Sequence, residues 1–282
     1  MMMDFSGVTQ LLNQTAGLHS SSFEQAFLQK SIEKRLQETR CSSPEEYCGY
    51  WEQNPAEGQI LRASLYNHFS EFFRDPLTFA VLERSILPGL IQKKRNDKHS
   101  EIRIWSAGCA AGQEAYSLAI LLEEALGNTP QAGPGYRIFA TDVDETQLEE
   151  ARLGVYPSAA LGKLSLKRAE TWFTRQAEGY GVKPALQKNI NFSVFDLVQE
   201  ERGCPPASIF GDFDLVLCCN LLIYYQTGTR SLILDRFEHC LARGGSLVTD
   251  AAERGLVLAH HYREVYPQAA IFQQNRAARK NT

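Results

Sequence analysis

The residues of this chain whose types and spacing suit chemistry gather around a small-residue turn and a nearby carboxylate. Ala107-Gly108-Cys109-Ala110-Ala111-Gly112-Gln113-Glu114 follows a short apolar run and opens an apolar-faced stretch. Small residues let a backbone approach a ligand closely. Asp142 ends the next apolar run, where a carboxylate is placed to accept from both hydroxyls of a ribose. The glycines are spaced G-x-x-x-G. A pyrophosphate cradle reads G-x-G-x-x-G and a triphosphate loop continues into G-K-[ST], and neither is present. A ligand with cationic groups and no phosphate, S-adenosylmethionine, suits Glu114 and Asp142. On these residues alone a dinucleotide stays open, as does tight strand–helix packing around Gly108 and Gly112 with no ligand at all.

Other reactive residues form no second centre. The seven cysteines, Cys41, Cys48, Cys109, Cys204, Cys218, Cys219 and Cys240, contain no C-x-x-C pair and no zinc spacing with histidine. His260-His261 lacks metal-ligand spacing, so no metal is expected. The odd cysteine count, with several in apolar runs, reads as reduced, buried thiols of a cytoplasmic protein. A net charge of −4 argues against a dedicated nucleic-acid binder. The amino terminus has no basic segment followed by an apolar one, as a signal peptide would. The longest apolar run, around 215–225, is broken by Asn220 and falls short of the about 20 residues a membrane span needs, so no membrane insertion is expected.

These residues must be positioned by elements that the hydrophobic spacing outlines. The first third reads as helices: Phe23, Phe27, Ile32 and Leu36 recur at near-helical spacing behind Ser20–Ser22 as caps. Ser43-Pro44-Glu45-Glu46 is a capping box with proline at the first helical position, and Asn54-Pro55-Ala56-Glu57 repeats that logic before Ile60, Leu61 and Leu65. Lys30, Lys34 and Arg35 read equally as a solvated face or as a surface for an acidic partner helix. After Asp75-Pro76 comes a helix with Phe79, Leu82 and Ile86 inward, then a polar linker over 92–101. From 102 onward strands and helices alternate. Strands are expected at 102–105, 136–141, 190–194, 213–218 and from 246, and helices at 114–126, 144–153 and 232–241, the last closed by Gly244-Gly245. That alternation implies an α/β fold with a doubly wound, mainly parallel sheet. The strand at 213–218 is almost continuously apolar, as one buried on both faces should be. Residues 157–188 break the alternation and read as an insertion, with Gly179-Tyr180-Gly181 suited to a hairpin. The domains expected are 1–75, helical; 76–100, a linker helix and linker; and 101–282, the α/β domain.

Longer blocks are more specific. Phe72-Phe73-Arg74-Asp75-Pro76 matches the F-F-R-D-P run of the chemotaxis receptor glutamate methyltransferases, the CheR family. Ile104 to Cys109 and Glu114 to Ala119 resemble their W-S-A-G-C-S-T-G-E-E-P-Y-S-L-A. Phe139-Ala140-Thr141-Asp142-Val143-Asp144 resembles F-A-T-D-I-D, and Ala151-Arg152-Leu153-Gly154-Val155-Tyr156 resembles A-R-x-G-x-Y. Phe213-Asp214 through Tyr225 resembles F-D-x-I-F-C-R-N-V-L-I-Y-F. The likeness runs in order from about Phe23 to Glu253.

The resemblance implies a Rossmann-like class I methyltransferase domain, with a small all-helical N-terminal domain and a small β-subdomain at about 157–188. In some relatives that subdomain docks on a receptor tail. It implies a site for S-adenosylmethionine, with S-adenosylhomocysteine as product. The cofactor-binding residues would be His68, Ser70, Arg74, Gly108, Glu114, Asp142, Asp196, Leu197, Cys219 and Asn220. Arg74 and Tyr224 would lie nearest the methyl group and the incoming carboxylate. The substrate implied is a glutamate on a cytoplasmic helix of a chemoreceptor. Departures from the pattern are His68 and Ser70 in the N-x-T before F-F-R, Gln113 for glutamate, Ala115 for proline, Cys219 for arginine, and Asp196 for asparagine. Thr249-Asp250-Ala251-Ala252-Glu253 replaces G-H-S-E, and little room before Phe23 is left for the family's first helix. The departures keep two other readings open: methyl transfer to another carboxylate or small molecule, and a non-catalytic cofactor-binding adaptor.

The chemistry agrees with the absence of a His/Asp/Ser set. A glutamate carboxylate is already ionised at neutral pH, so its methylation needs no general base. The protein must supply alignment and exclusion of water. An arginine can hold the carboxylate by paired hydrogen bonds.

Overall fold

The computed structural model describes residues 4–15, 18–66, 69–95, 101–127, 133–208 and 210–275. The chain divides into two compact units, Met1–Asn67 with Leu221–Leu232, and His68–Asn220 with Ile233–Thr282.

The first unit is helical. Helix α1 (Ser6–Thr15) buries Val8 and Leu12, one turn apart, so the chain does have a helix before Phe23. Helix α2 (Gln25–Thr39) is capped by Glu24, whose carboxylate accepts from the Phe27 N–H at 3.0 Å. The serines expected as its cap instead form a 3-10 turn, Ser20–Ser22. Helix α3 (Pro44–Gln53) starts as expected, with Ser43 Oγ accepting from the Glu46 N–H at 3.2 Å. Helix α4 (Glu57–Ser64) has no side-chain cap. Its first residue, Glu57, is buried and takes two hydrogen bonds from Arg35, each 2.8 Å, and one from the Tyr47 hydroxyl at 2.5 Å. Arg35 is therefore an interior ion-pair residue, while Lys34 stays at the surface near Glu38. Ile60 is exposed, whereas Leu61 and Leu65 are buried. The 221–232 segment packs here. Phe23 and Tyr225 form a β-bridge with rings 5.2 Å apart, and the Gln226 N–H donates to the Ser22 carbonyl at 2.8 Å.

The second unit carries the sheets. Its strands are β1 (Ile102–Ala107), β2 (Tyr136–Asp142), β3 (Val155–Tyr156), β4 (Phe173–Gln176), β5 (Gly179–Val182), β6 (Ile190–Val194), β7 (Phe213–Leu217), β8 (Leu241–Val248), β9 (Tyr262–Tyr266) and β10 (Ile271–Gln274). The main sheet runs β6-β2-β1-β7-β8-β10-β9. Neighbours from β6 to β8 are parallel, and β10 is antiparallel to both β8 and β9. Strand β7 is buried at every position, as its apolar run predicts. Helices α5 (Pro76–Val81), α6 (Leu87–Arg95), α7 (Gln113–Gly127) and α8 (Glu145–Leu153) follow in chain order. Helix α7 buries every residue from Ala115 to Leu122.

Strand β3, just before the insertion, joins a separate three-stranded sheet, β3-β5-β4, whose other two strands are the insertion's expected hairpin. Helices α9 (Leu166–Trp172) and α10 (Pro184–Gln187) flank it in sequence. Helix α11 (Thr227–Cys240) begins five residues before the expected start at 232. It stops at Cys240, and Gly244-Gly245 lies inside β8 rather than at the helix end. The short α12 (Arg254–Leu258) precedes β9. No helix among the described residues is long and apolar enough to cross a membrane.

Candidate functional site

In an open parallel sheet the ligand site lies beyond the carboxyl ends of the strands, where the strand order reverses. Here that point falls between β1 and β7, adjacent parallel strands reached from opposite directions in the chain. The turn after β1 is held against the end of β2. The N–H groups of Gly108 and Cys109 donate to the Thr141 carbonyl at 2.8 and 3.0 Å. The Ala110 N–H donates to Asp142 Oδ2 at 2.9 Å, and the Asp144 N–H to Asp142 Oδ1 at 3.1 Å. Gly108, Ala110 and Gly112 all have positive φ, at 75°, 45° and 87°. Gly112 is needed for space as well as conformation, because a Cβ there would stand 2.9 Å from Ala151 Cβ.

Glu114 opens α7 beside this turn. Ser106 Oγ donates to Glu114 Oε1 at 2.6 Å. Burial pushes the Glu114 carboxyl above its ordinary range, opposed by hydrogen bonds from Ser106 and Cys219 and by the charge of Arg74. Glu114, Cys219 and Arg74, far apart in sequence, thus act on one another. Cys219 keeps its proton, since burial and then the charges of Glu114 and Glu253 push its thiol far up. Arg74 Nη1 donates to the Phe69 carbonyl at 2.9 Å, and its guanidinium lies 5.0 Å from the exposed Phe69 ring. It neither pairs with Asp75 nor caps a helix; Asp75 itself caps α5 by accepting from the Leu77 and Thr78 N–H groups.

Asn220, after β7, has φ 58°. Its N–H donates to Glu253 Oε2 at 2.9 Å, and Glu253 Oε2 also accepts from the Asp250 N–H at 3.1 Å. Glu253 is fully buried. Among the described residues, the Asn220 Oδ1 and Gln113 Oε1 oxygens are buried with no hydrogen-bond partner. Asp196 follows β6; its Oδ1 accepts from the Val198 and Gln199 N–H groups at 2.7 and 3.1 Å, shaping the turn that buries Leu197. Ser70 is half-buried, and His68 lies outside the described residues.

Tyr224 belongs to the first unit, where its ring is 4.6 Å from Phe27 and its carbonyl accepts from the Glu24 N–H at 2.8 Å. Two further residues shape the site although the sequence assigned them no part in it. Ser106 could have been found as the alternate-face polar residue of β1, two before Gly108. Glu253 carries no local signal for its hold on Asn220, 33 positions away. All seven cysteines are free; Cys109, Cys218 and Cys240 are buried, whereas Cys41, Cys48, Cys204 and Cys219 are partly exposed.

Glu114 beside the glycine turn, Asp142 at the β2 end and the amide oxygens of Gln113 and Asn220 are acceptors gathered at the carboxyl ends of β1, β2 and β7, which fits a ligand that is itself a cation and a donor. Residues 68–268 match the family model described as CheR methyltransferase, SAM binding domain, and residues 3–66 match CheR methyltransferase, all-alpha domain. The chain belongs to the CheR methyltransferase family. It is similar to the chemotaxis protein methyltransferase Cher2 of Pseudomonas putida, at 31% identity over 96% of this chain and 98% of the relative. It is likewise similar to chemotaxis protein methyltransferase 1 of Pseudomonas aeruginosa, at 31% over 93% and 94%, and to the Salmonella typhimurium chemotaxis protein methyltransferase, at 30% over 88% and 83%. As a CheR methyltransferase the chain is an S-adenosylmethionine-dependent enzyme of chemotaxis.

Proposed function

We propose that the methyl acceptor is a glutamate side chain on a cytoplasmic helix of a chemoreceptor, and that the products are a glutamate methyl ester and S-adenosylhomocysteine. The observation that carries this reading is the setting of Glu114: a half-buried acid at the switch point of the sheet, facing Arg74 and Cys219. When bound, S-adenosylmethionine supplies a sulfonium methyl carbon that the ionised acceptor carboxylate attacks, so no proton has to move. Glu114 and Asp142 hold the cationic and hydroxyl groups of the cofactor. Gly108 brings the backbone close, and Asn220 Oδ1 accepts a donor that would otherwise leave it unsatisfied. Ser70, His68, Asp196, Leu197 and Cys219 complete the lining on the family pattern. Arg74 orients the acceptor carboxylate by charge-assisted hydrogen bonds, and Tyr224 is assigned to the acceptor on the same pattern. The enzyme acts in the cytoplasm.

The test is to incubate the protein with methyl-labelled cofactor and chemoreceptor cytoplasmic fragments from the same cell. Base-labile label on glutamate supports the reading. Failure to label any of several receptors, while the protein still binds S-adenosylhomocysteine, rejects the substrate and leaves the methyltransferase.

A further inference from the structure

Two cysteines that the methyl-transfer site does not use stand side by side. Cys204 Sγ and Cys240 Sγ are 2.8 Å apart although 36 positions separate them in the chain. Cys204 lies in the loop between β6 and β7 and is partly exposed. Cys240 is the last residue of α11 and is buried, with its sulfur 2.9 Å from the Gly203 carbonyl oxygen.

The surroundings of the pair are built rather than incidental. Arg103 ties down the same loop, donating from Nε to the Gly211 carbonyl at 3.0 Å and from Nη2 to Ser208 Oγ at 2.7 Å. Arg236 donates from Nη2 to the Glu200 carbonyl at 2.5 Å. Gly211, at φ 65°, packs against the Cys204 sulfur and the Cys240 backbone: a Cβ there would stand 3.0 Å from Cys204 Sγ and 3.4 Å from Cys240 Cα. The contact with the Cys240 sulfur, helped by the charges of Arg103 and Arg236, pulls the Cys204 thiol below its ordinary value against the effect of burial. Cys109, Cys218 and Cys219 are instead pushed far above it, chiefly by burial. A thiolate is the nucleophile of disulfide exchange, so only one partner of this pair is both accessible and poised.

We propose that Cys204 and Cys240 form a dithiol site that takes a low-molecular-weight disulfide and closes to an internal disulfide. The Cys204 thiolate attacks one sulfur of the small disulfide, giving a mixed disulfide and one small thiolate. Cys240 loses its proton to solvent and attacks Cys204 Sγ, which expels the second small thiolate. Two protein thiols are oxidised and the small disulfide is reduced to two thiols, with protons exchanged through water. Buried Cys240 cannot meet the reagent first, which sets the order. Bonded sulfurs sit about 2.05 Å apart, so the loop and α11 close by less than about 1 Å and the fold is kept. The new link ties the loop that begins at Asp196 to the end of α11.

The test uses the full-length reduced protein exposed, while folded, to excess glutathione disulfide. Remaining thiols are then alkylated and peptides mapped without reduction. The expected map shows Cys204 joined to Cys240 and the other cysteines alkylated. The melting temperature should rise by about 5 °C or more, because the link closes a long loop in the unfolded chain. Cys240→Ser should stop at a glutathione adduct on Cys204, and Cys204→Ser should leave Cys240 unmodified. Recovery of both thiols intact from the wild-type protein overturns the proposal. So does an adduct on Cys204 that never resolves, or a crosslink between other cysteines.

Discussion

The Asn220 N–H donates to the buried Glu253 carboxylate at 2.9 Å, and the same oxygen accepts from the Asp250 N–H at 3.1 Å. One carboxylate thus closes a capping box after β8 and pins a residue after β7 in the left-handed region. Asparagine enters that region more readily than other residues with a Cβ, and the bond to Glu253 holds it there. Glu253→Ala would leave two part-buried N–H groups without their acceptor, at about 2–3 kcal/mol. Glu253→Gln retains an acceptor oxygen and should cost about half as much. Denaturant unfolding gives the stability, and calorimetry with S-adenosylhomocysteine gives the effect on the site. If the alanine variant binds the cofactor as tightly as wild type, Glu253 supports the fold without placing Asn220.

Glu114 makes stability depend on pH in an unusual direction. Burial raises its folded value, so the unfolded chain gives up this proton first. As pH rises from the ordinary 4.5 through the raised folded value, the folded state holds more protons than the unfolded one, and stability falls. Glu114→Gln escapes that loss. The variant should therefore be more stable than wild type at neutral pH, with the difference vanishing in acid. It should also bind S-adenosylhomocysteine at least about tenfold more weakly, ~1.4 kcal/mol, because the negative charge facing the ligand is gone. Unfolding curves at several pH values and parallel calorimetry read both. A variant that is less stable at neutral pH would mean that the bond from Ser106 outweighs burial.

Gly112 joins conformation and packing at one position. A side chain there meets both a φ of 87° and Ala151 Cβ at 2.9 Å, with the Phe192 ring next at 3.2 Å. Gly112→Ala should cost about 2 kcal/mol or more in unfolding free energy. It should weaken cofactor binding too, since the same turn presents the Ala110 N–H to Asp142. A melting curve unchanged from wild type would show that the turn has another conformation to adopt.

The parts of this molecule that were legible in the sequence are those whose neighbours in space are neighbours in the chain. The turn after β1, Asp142 at the end of β2, the capped start of α3 and the apolar β7 all follow from local spacing. Helix α1 was hidden because only Val8 and Leu12 of its ten residues are buried, which leaves a polar segment with little periodicity. Strands β9 and β10 were missed for a similar reason: Tyr262–Tyr266 puts Arg263 and Glu264 side by side, which breaks the alternation of a strand, and its positions after Tyr262 are exposed or half-buried. Arg35 read as one of several exposed bases, on a solvated face or a surface for an acidic partner helix. Its bond to Glu57 crosses 22 positions and depends on the packing of two helices. Within the candidate site, Glu114 was visible from its place after the glycine turn, but the convergence of Ser106, Cys219 and Arg74 on it exists only in the folded sheet.

Arg74 separates orientation of the acceptor from binding of the cofactor. Its guanidinium is held at one end by the Phe69 carbonyl at 2.9 Å, and the bond leaves further N–H donors on the same fork. Its charge also reaches Glu114, where it opposes the effect of burial. If those donors align an acceptor carboxylate, Arg74→Ala should lower kcat by about a hundredfold, ~2.7 kcal/mol, while the affinity for S-adenosylhomocysteine falls by about threefold or less. Arg74→Lys keeps the charge near Glu114 but loses the paired geometry, so it should restore cofactor affinity and recover little of kcat. Single-turnover methyl transfer and calorimetry on the same preparations distinguish the two quantities. An equal fall in both for the alanine variant would make Arg74 a cofactor ligand, and full recovery of kcat by lysine would reduce its role to charge alone.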